Sequence, residues 1–374
     1  MARRGENIYK RKDGRWEGRC IIGHGKNGRA AFRSLYGHSY KEVKEKMLMQ
    51  NNQKQSIVNK PHTMDFGDIL DNWLRSKKLS VKESSYGKYR YTVNHYIRPR
   101  LGSCNICNLT TATVESYVEE LLSCGGKNGQ GLSPKTVQDI LTIVKDAVSF
   151  GMTQGASLPC KLDRLYVRQK ADEMRVFTPE EQRKLTTFLL HDVNENKLCI
   201  LLCLYTGLRI GEVCALRWDC IDLDKKILQV KATVQRVYNL EPGGGAITKM
   251  LFSEPKSKCS IRDIPLPEQI LPVIRQFQKD SSVFILSGRA DHCPDPRGLQ
   301  YWFKKYLSQC GVADANFHAL RHTFATRCVE NGFELKSLSE ILGHTNVNIT
   351  LNRYVHSSFA LKRENMNRMT LLTD

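Results

Sequence analysis

The stretch FHALRHTFAT, residues 317–326, packs two histidines and an arginine into five positions. His318, Arg321 and His322 stand three and four residues apart, so a helix brings them to one face. Leu320, Phe324 and Ala325 read as core residues. The stretch therefore predicts a helix that mounts a basic cluster beside its own apolar core.

Two other segments of the same region carry unusual polar residues. In TGLRIGEVCALRW (206–218), Gly207 breaks one helix and Arg209 opens the next, between apolar Leu208 and Ile210. In LSEILGHTNVNITLNRYVH (338–356), Gly343 ends a helix, His344 sits in the turn, and Tyr354 lies on the following helix. Each segment alone has an ordinary structural explanation, such as a salt-bridged arginine or a solvated basic face.

The whole chain has 374 residues, with 57 Lys and Arg against 38 acidic residues, a net charge of +19. That length suggests two or three domains. The charge favours a polyanionic partner, nucleic acid before an anionic membrane. No apolar run approaches a membrane span and the first residues, MARRGENIYK, hold no apolar signal core, so a cytoplasmic protein is expected. The 13 cysteines are scattered through apolar patterns, which suggests reduced core thiols. Cys104 and Cys107 form a lone CxxC without a second pair, so no metal site is expected.

Three domains are expected. Residues 1–55 read as a three-stranded antiparallel sheet and a helix, with Asp13-Gly14 and Asn27-Gly28 as hairpin turns. Residues 1–46 hold 13 Lys and Arg against 5 acids. Arg11, Arg15, Arg19, Arg29 and Arg33, interleaved with Tyr9, Trp16 and Tyr36, suit a β-ribbon in a major groove. The polar stretch 51–62 reads as a linker. Residues 63–156 show four helical periodicities, one opening on Ser133-Pro134. A basic junction near 157–175 leads to a third domain, 173–374, opened by Thr178, Pro179 and Glu181 as a capping box. It mixes helices with a β-rich section at 227–266. The fold class expected is multidomain and mainly α, with an N-terminal sheet, a helical middle and a mixed α+β final domain.

Taken together and in order, GLRIGE, HALRH, LGH and NRY resemble the boxes of the tyrosine recombinases, the phage-integrase family. EPKSKCSIRDIPL (254–266) resembles the hairpin that bears that family's lysine. The N-terminal sheet resembles the arm-type DNA-binding domain of integrases from conjugative transposons and low-GC phages, and 65–155 resembles their core-binding domain. The resemblance thus covers nearly the whole chain.

It implies a site-specific recombinase, the integrase or transposase of a bacterial mobile element. Arg209 and Arg321 would be the paired arginines, His318 and His344 further donors, with His318 also placed to take the tyrosine proton, and Tyr354 the nucleophile. Lys256 would be the general acid, with Lys258 as the alternative. Two arginines suit the non-bridging oxygens of a phosphodiester, because their forked donors stay charged. A 3′-phosphotyrosyl bond stores the energy for rejoining, so neither ATP nor metal is implied. The resemblance further implies double-stranded DNA with core and arm sites as partner, and a homotetramer coupled through exchange of the tail 358–374. It leaves room for an excisionase or a host DNA-bending protein. His322 is expected to support the site from behind or to lie on the helix surface, Glu212 to orient an arginine or bond locally, and His356 to be peripheral. Two rivals stand beside this reading: a type IB topoisomerase, which shares the chemistry without pairing two duplexes, and a catalytically silent DNA-binding protein.

Overall fold

A computed structural model gives the fold, described for residues 7–24, 30–58, 65–155, 162–169, 174–240, 247–254, 258–354 and 366–367. The chain divides into two compact units, Met1–Lys82 with Tyr89–Gln169, and Glu83–Lys88 with Lys170–Asp374. It is mainly α, with an N-terminal sheet, a helical section and a mixed α+β final section, as the sequence predicts.

The first unit opens with strands β1 (Ile8–Lys10), β2 (Trp16–His24) and β3 (Ala30–Gly37), antiparallel in that order. Gly14 turns the first hairpin with φ +85°, a left-handed angle that costs glycine little. Helix α1 (Tyr40–Val58) follows and continues into the stretch expected to be a linker, whose residues 59–62 lie outside the described residues. NNQKQSIV holds no breaker, and each added residue extends an already nucleated helix. Asn27-Gly28 and Arg29 lie outside the described residues.

The sheet carries its cations in an ordered array. Glu17, 2% exposed, accepts from Arg11 Nη1 at 2.8 Å, Arg19 Nε at 3.1 Å and Ser34 Oγ at 2.8 Å. Arg11 and Arg15 stack over Tyr36 at 5.6 and 5.9 Å, and Arg19 over Tyr9 at 5.6 Å. Trp16 instead packs edge-on against Tyr40 of α1, so its aromatic surface serves packing.

The helical section comprises α2 (Phe66–Ser80), α3 (Glu83–Thr92), which runs through a π turn into α4 (Arg98–Leu101), then α5 (Thr111–Cys124) and α6 (Pro134–Thr153). Ser133 Oγ accepts from Thr136 N at 3.2 Å with Pro134 at the first position, as the Ser-Pro pair predicts. Ile69, Leu70, Trp73, Ile140, Leu141 and Val144 supply fully buried side chains.

The second unit contains α7 (Pro179–Leu190), α8 (Glu195–Thr206), α9 (Ile210–Cys214), β4 (Ile221–Asp222), β5 (Ile227–Val230), β6 (Thr233–Tyr238), β7 (Thr248–Ser253), β8 (Arg262–Pro265), α10 (Leu271–Gln276), α11 (Pro296–Gln309), α12 (His318–Glu330), α13 (Leu335–Leu342) and α14 (Val347–Tyr354). Thr178 and Glu181 close the expected capping box, Glu181 N to Thr178 Oγ1 at 3.2 Å and Thr178 N to Glu181 Oε2 at 2.9 Å. Strands β4, β5 and β8 form one antiparallel sheet, and β6 with β7 a hairpin. Helix α8 is buried on nearly every side and packs against α12, the helix that carries the basic cluster. Its Cys199 and Cys203, with Cys214 of α9, are free buried thiols whose burial pushes their pKa upward.

Candidate active site around Arg209, Arg321 and Tyr354

Two left-handed glycines build the floor of the site. Gly207 (φ +67°) ends α8 and Gly343 (φ +64°) ends α13. Terminal carbonyls of a helix lack intrahelical donors, and here the arginines supply them. Arg321 Nη1 donates to Gly207 O at 2.7 Å, and Nη2 to Leu342 O at 2.5 Å. Arg209 Nη2 donates to Gly343 O at 3.2 Å. Arg321 is 1% exposed, whereas the Arg209 side chain is 35% exposed. Burial and the nearby Arg209 lower the Arg321 pKa to about 9, and Glu212 opposes that fall. The guanidinium therefore stays charged at neutral pH.

Glu212 is the countercharge. It is 4% exposed and accepts from Arg209 Nη1 at 2.7 Å, while its second oxygen caps Arg209 N at 2.9 Å. Arg262, from β8, forks onto it from the other side at 3.0 and 2.9 Å and also donates to Ile341 O. Burial pushes the Glu212 pKa up, but Arg262 and Arg209 overcome this and hold it at about 2. Three guanidiniums face one carboxylate, a surplus of two positive charges. Arg262 was not visible as a site residue in the sequence. Its alternation with buried Ile264 on a strand is the one signal that could have pointed to it.

His344 lies in the turn after Gly343. Its Nε2 meets Arg321 Nη2 at 3.0 Å and its Nδ1 meets Thr350 Oγ1 at 2.8 Å. A guanidinium only donates, so Nε2 accepts and the ring proton sits on Nδ1. Burial, then Arg321 and Arg209, lower the His344 pKa to about 4, which keeps the ring neutral. His318 stands at the first turn of α12 on the exposed side of the cluster. Its pKa also falls to about 4, through burial and then Arg321, Arg353 and Arg209.

Tyr354 is 5% exposed and packs with Ala325, Cys328, Leu338 and Leu342. Its Oη lies 2.9 Å from His322 Nδ1. Of the two positions expected for His322, the structure gives the supporting one, as a direct partner of the tyrosine. Burial raises the Tyr354 pKa, and Arg321, Arg353 and Arg209 only partly offset it. The cationic surroundings thus ease deprotonation without overcoming the effect of burial.

The structure brings together Arg209, His318, Arg321, His344 and Tyr354, the described residues among those that the resemblance names. Lys256 lies outside the described residues, on the β7–β8 connection; the side chain of Lys258, the alternative, does too, and so does His356. Of the tail, only Met366 and Asn367 are described. No helix among the described residues is long and apolar enough to cross a membrane.

Comparison with known proteins agrees with this geometry. The profile described as "Phage integrase family" matches residues 175–360, and "Phage integrase, N-terminal SAM-like domain" matches 65–122. A "Tyrosine recombinase XerC-like" protein of Caldanaerobacter subterraneus is 28% identical, covering 94% of this chain and 94% of its own. The ICEBs1 integrase of Bacillus subtilis is 22% identical over 81% of this chain and 82% of its own. A structure of the Tn1549 transposon integrase in complex with a circular intermediate DNA shares the fold, with a TM-score of 0.66 at 21% identity, covering 82% of this chain and 99% of that one. With two profiles spanning more than half of its residues and the boxes assembled in space, the chain belongs to the phage integrase family of tyrosine recombinases.

Proposed function

We propose that this recombinase cuts and rejoins DNA at specific sites of a mobile element through a covalent bond between Tyr354 and a 3′-phosphate. The observation that carries the reading is the convergence of two arginines, two histidines and a buried tyrosine on the ends of α8 and α13. The surplus of two positive charges suits a phosphodiester, whose pentacoordinate transition state approaches two negative charges. Arg321 is aimed by two carbonyls and Arg209 by Glu212, so neither must be reorganised when phosphate arrives.

Tyr354 attacks the phosphorus and the O5′ bond breaks. Lys256 is the proposed acid for the leaving oxygen. His318, on the exposed side, donates to a non-bridging oxygen, and His344 orients Arg321. A 5′-hydroxyl of a second duplex then reverses the step, with neither ATP nor metal consumed. Residues 1–55 are assigned to arm sites, 63–156 to core sites and 173–374 to catalysis. The tail 358–374 is assigned to exchange between protomers of a tetramer. An excisionase or host bending protein would act as accessory factor, and the protein would work on the bacterial nucleoid.

A nicked suicide substrate carrying the cognate core site tests the reading. Wild type should accumulate a covalent adduct and Tyr354→Phe none. An adduct with Tyr354→Phe would refute it. Exchange between two duplexes separates a recombinase from a topoisomerase, which would relax supercoils without exchange.

A further inference from the structure

The buried tyrosine poses a chemical problem. Its pKa is raised by burial, and a phenol is a poor nucleophile while it keeps its proton. The positive field of Arg321 and Arg209 offsets that rise only in part. A base has to lie within hydrogen-bond reach of Oη.

His318 opens the histidine–arginine box, yet it is His322, one turn further along α12, that holds Tyr354 Oη at 2.9 Å. The tyrosine and imidazole rings stand 5.7 Å apart and His322 is 9% exposed, so the pair is shielded from water. His318 meets the other side of the His322 ring edge-on, with centroids 4.5 Å apart. The neutral tautomer protonated at Nε2 presents the Nδ1 lone pair to the phenol.

We propose that His322 is the catalytic base that accepts the Tyr354 proton during strand cleavage and returns it during rejoining. This rests on the reading of Tyr354 as nucleophile. In cleavage the Oη–P bond forms, the P–O5′ bond breaks, and the phenolic proton moves to His322 Nδ1. The general acid supplies a separate proton to O5′. Rejoining reverses each transfer, so the protein ends unchanged.

The groups facing His322 explain how it acts only on bound DNA. On its own helix these are His318 and Arg321, on α14 Arg353 and Tyr354, and in the intervening turn His344. Burial and these neighbours disfavour an imidazolium in the free protein. A phosphodiester brings a negative charge among the same cations, and its transition state brings a second. The charge that repels a proton from His322 is then countered at the moment the proton must move.

The test is single-turnover cleavage of the suicide substrate by His322→Ala and His322→Asn, with Tyr354 kept. Asn preserves a hydrogen-bonding group near Nδ1 but does not take up a proton. Both variants should bind the core site with wild-type affinity and cleave about 100-fold more slowly, the lower end for a lost general base. The loss should persist on a substrate with sulfur at the bridging 5′ position, whose leaving group needs no acid. Wild-type cleavage by His322→Asn would overturn the proposal. So would recovery of His322→Ala on the sulfur substrate, or a loss of site affinity that accounts for the slower rate. Tyr354→Phe separates the two readings: if it forms no adduct while the His322 variants cleave normally, the nucleophile stands and the base is refuted.

Discussion

Replacing Glu212 by Gln removes the one carboxylate among Arg209, Arg262 and Arg321. The structure sets the size of the effect. Glu212 is 4% exposed, so water screens little of it, and its pKa falls from 4.5 to about 2. Each tenfold preference for the charged form is worth about 1.4 kcal/mol, which gives the carboxylate about 3 kcal/mol of folding stability at neutral pH. Loss of one partner from a buried pair costs a similar ~3–5 kcal/mol. For a unit of this size, about 1 kcal/mol moves the melting temperature by roughly 2–4 °C, so Glu212→Gln should melt about 6–12 °C lower. The sign with pH is definite. A depressed carboxylate pKa stabilises above its unfolded value and loses that contribution as pH falls through the folded one. The gap between wild type and variant should therefore be full near pH 7 and close as pH drops from about 4.5 towards about 2. Thermal melts across that range decide it. A variant that melts within about 2 °C of wild type at pH 7 would refute Glu212 as the charge that holds the arginines together.

Other outcomes follow from separate features. Gly207→Ala would place a Cβ 2.5 Å from Phe324 Cδ1 in a left-handed turn, and should cost more than about 2 kcal/mol in urea unfolding. His344 has a folded pKa near 4, below its unfolded value, so its contribution is present above about pH 6.5 and lost as pH falls towards 4. His344→Asn should flatten the acid limb of a stability–pH curve, and an unchanged limb would contradict the neutral ring. Arg15, more than half exposed and stacked on Tyr36, should contribute to arm-site affinity through phosphate contact. Arg15→Ala should reduce the salt slope of arm-DNA binding by about 1, and an unchanged slope would remove Arg15 from that interface.

Much of the site was legible because its residues sit in rigid local contexts. Gly207 and Gly343 signalled chain reversals, and the spacing His318–Arg321 needed only a helix to be meaningful. Ser133 and Thr178 were readable because a cap is decided within four residues. What escaped reading depended on meetings between distant segments. Arg262 is an ordinary strand residue until β8 brings it to Glu212, fifty positions away. His322 could be read only as a supporting residue because its role rests on Tyr354, thirty-two residues downstream on another helix. The continuation of α1 past residue 50 escaped for a different reason, since polar residues without a breaker suit a loop and a helix equally well.

The anchoring of Arg321 has a consequence for how the site responds to change. One guanidinium ties together the turn after α8, the turn after α13 and the helix that bears both histidines. Substitutions at Gly207, Arg321 and Gly343 therefore strike a single thermodynamic element. The first should cost nearly as much as all three, and double-mutant cycles among them should show large couplings where independent sites would add. Sequence drift in this region would then be constrained by sets of residues, because no one turn can relax without releasing the other two.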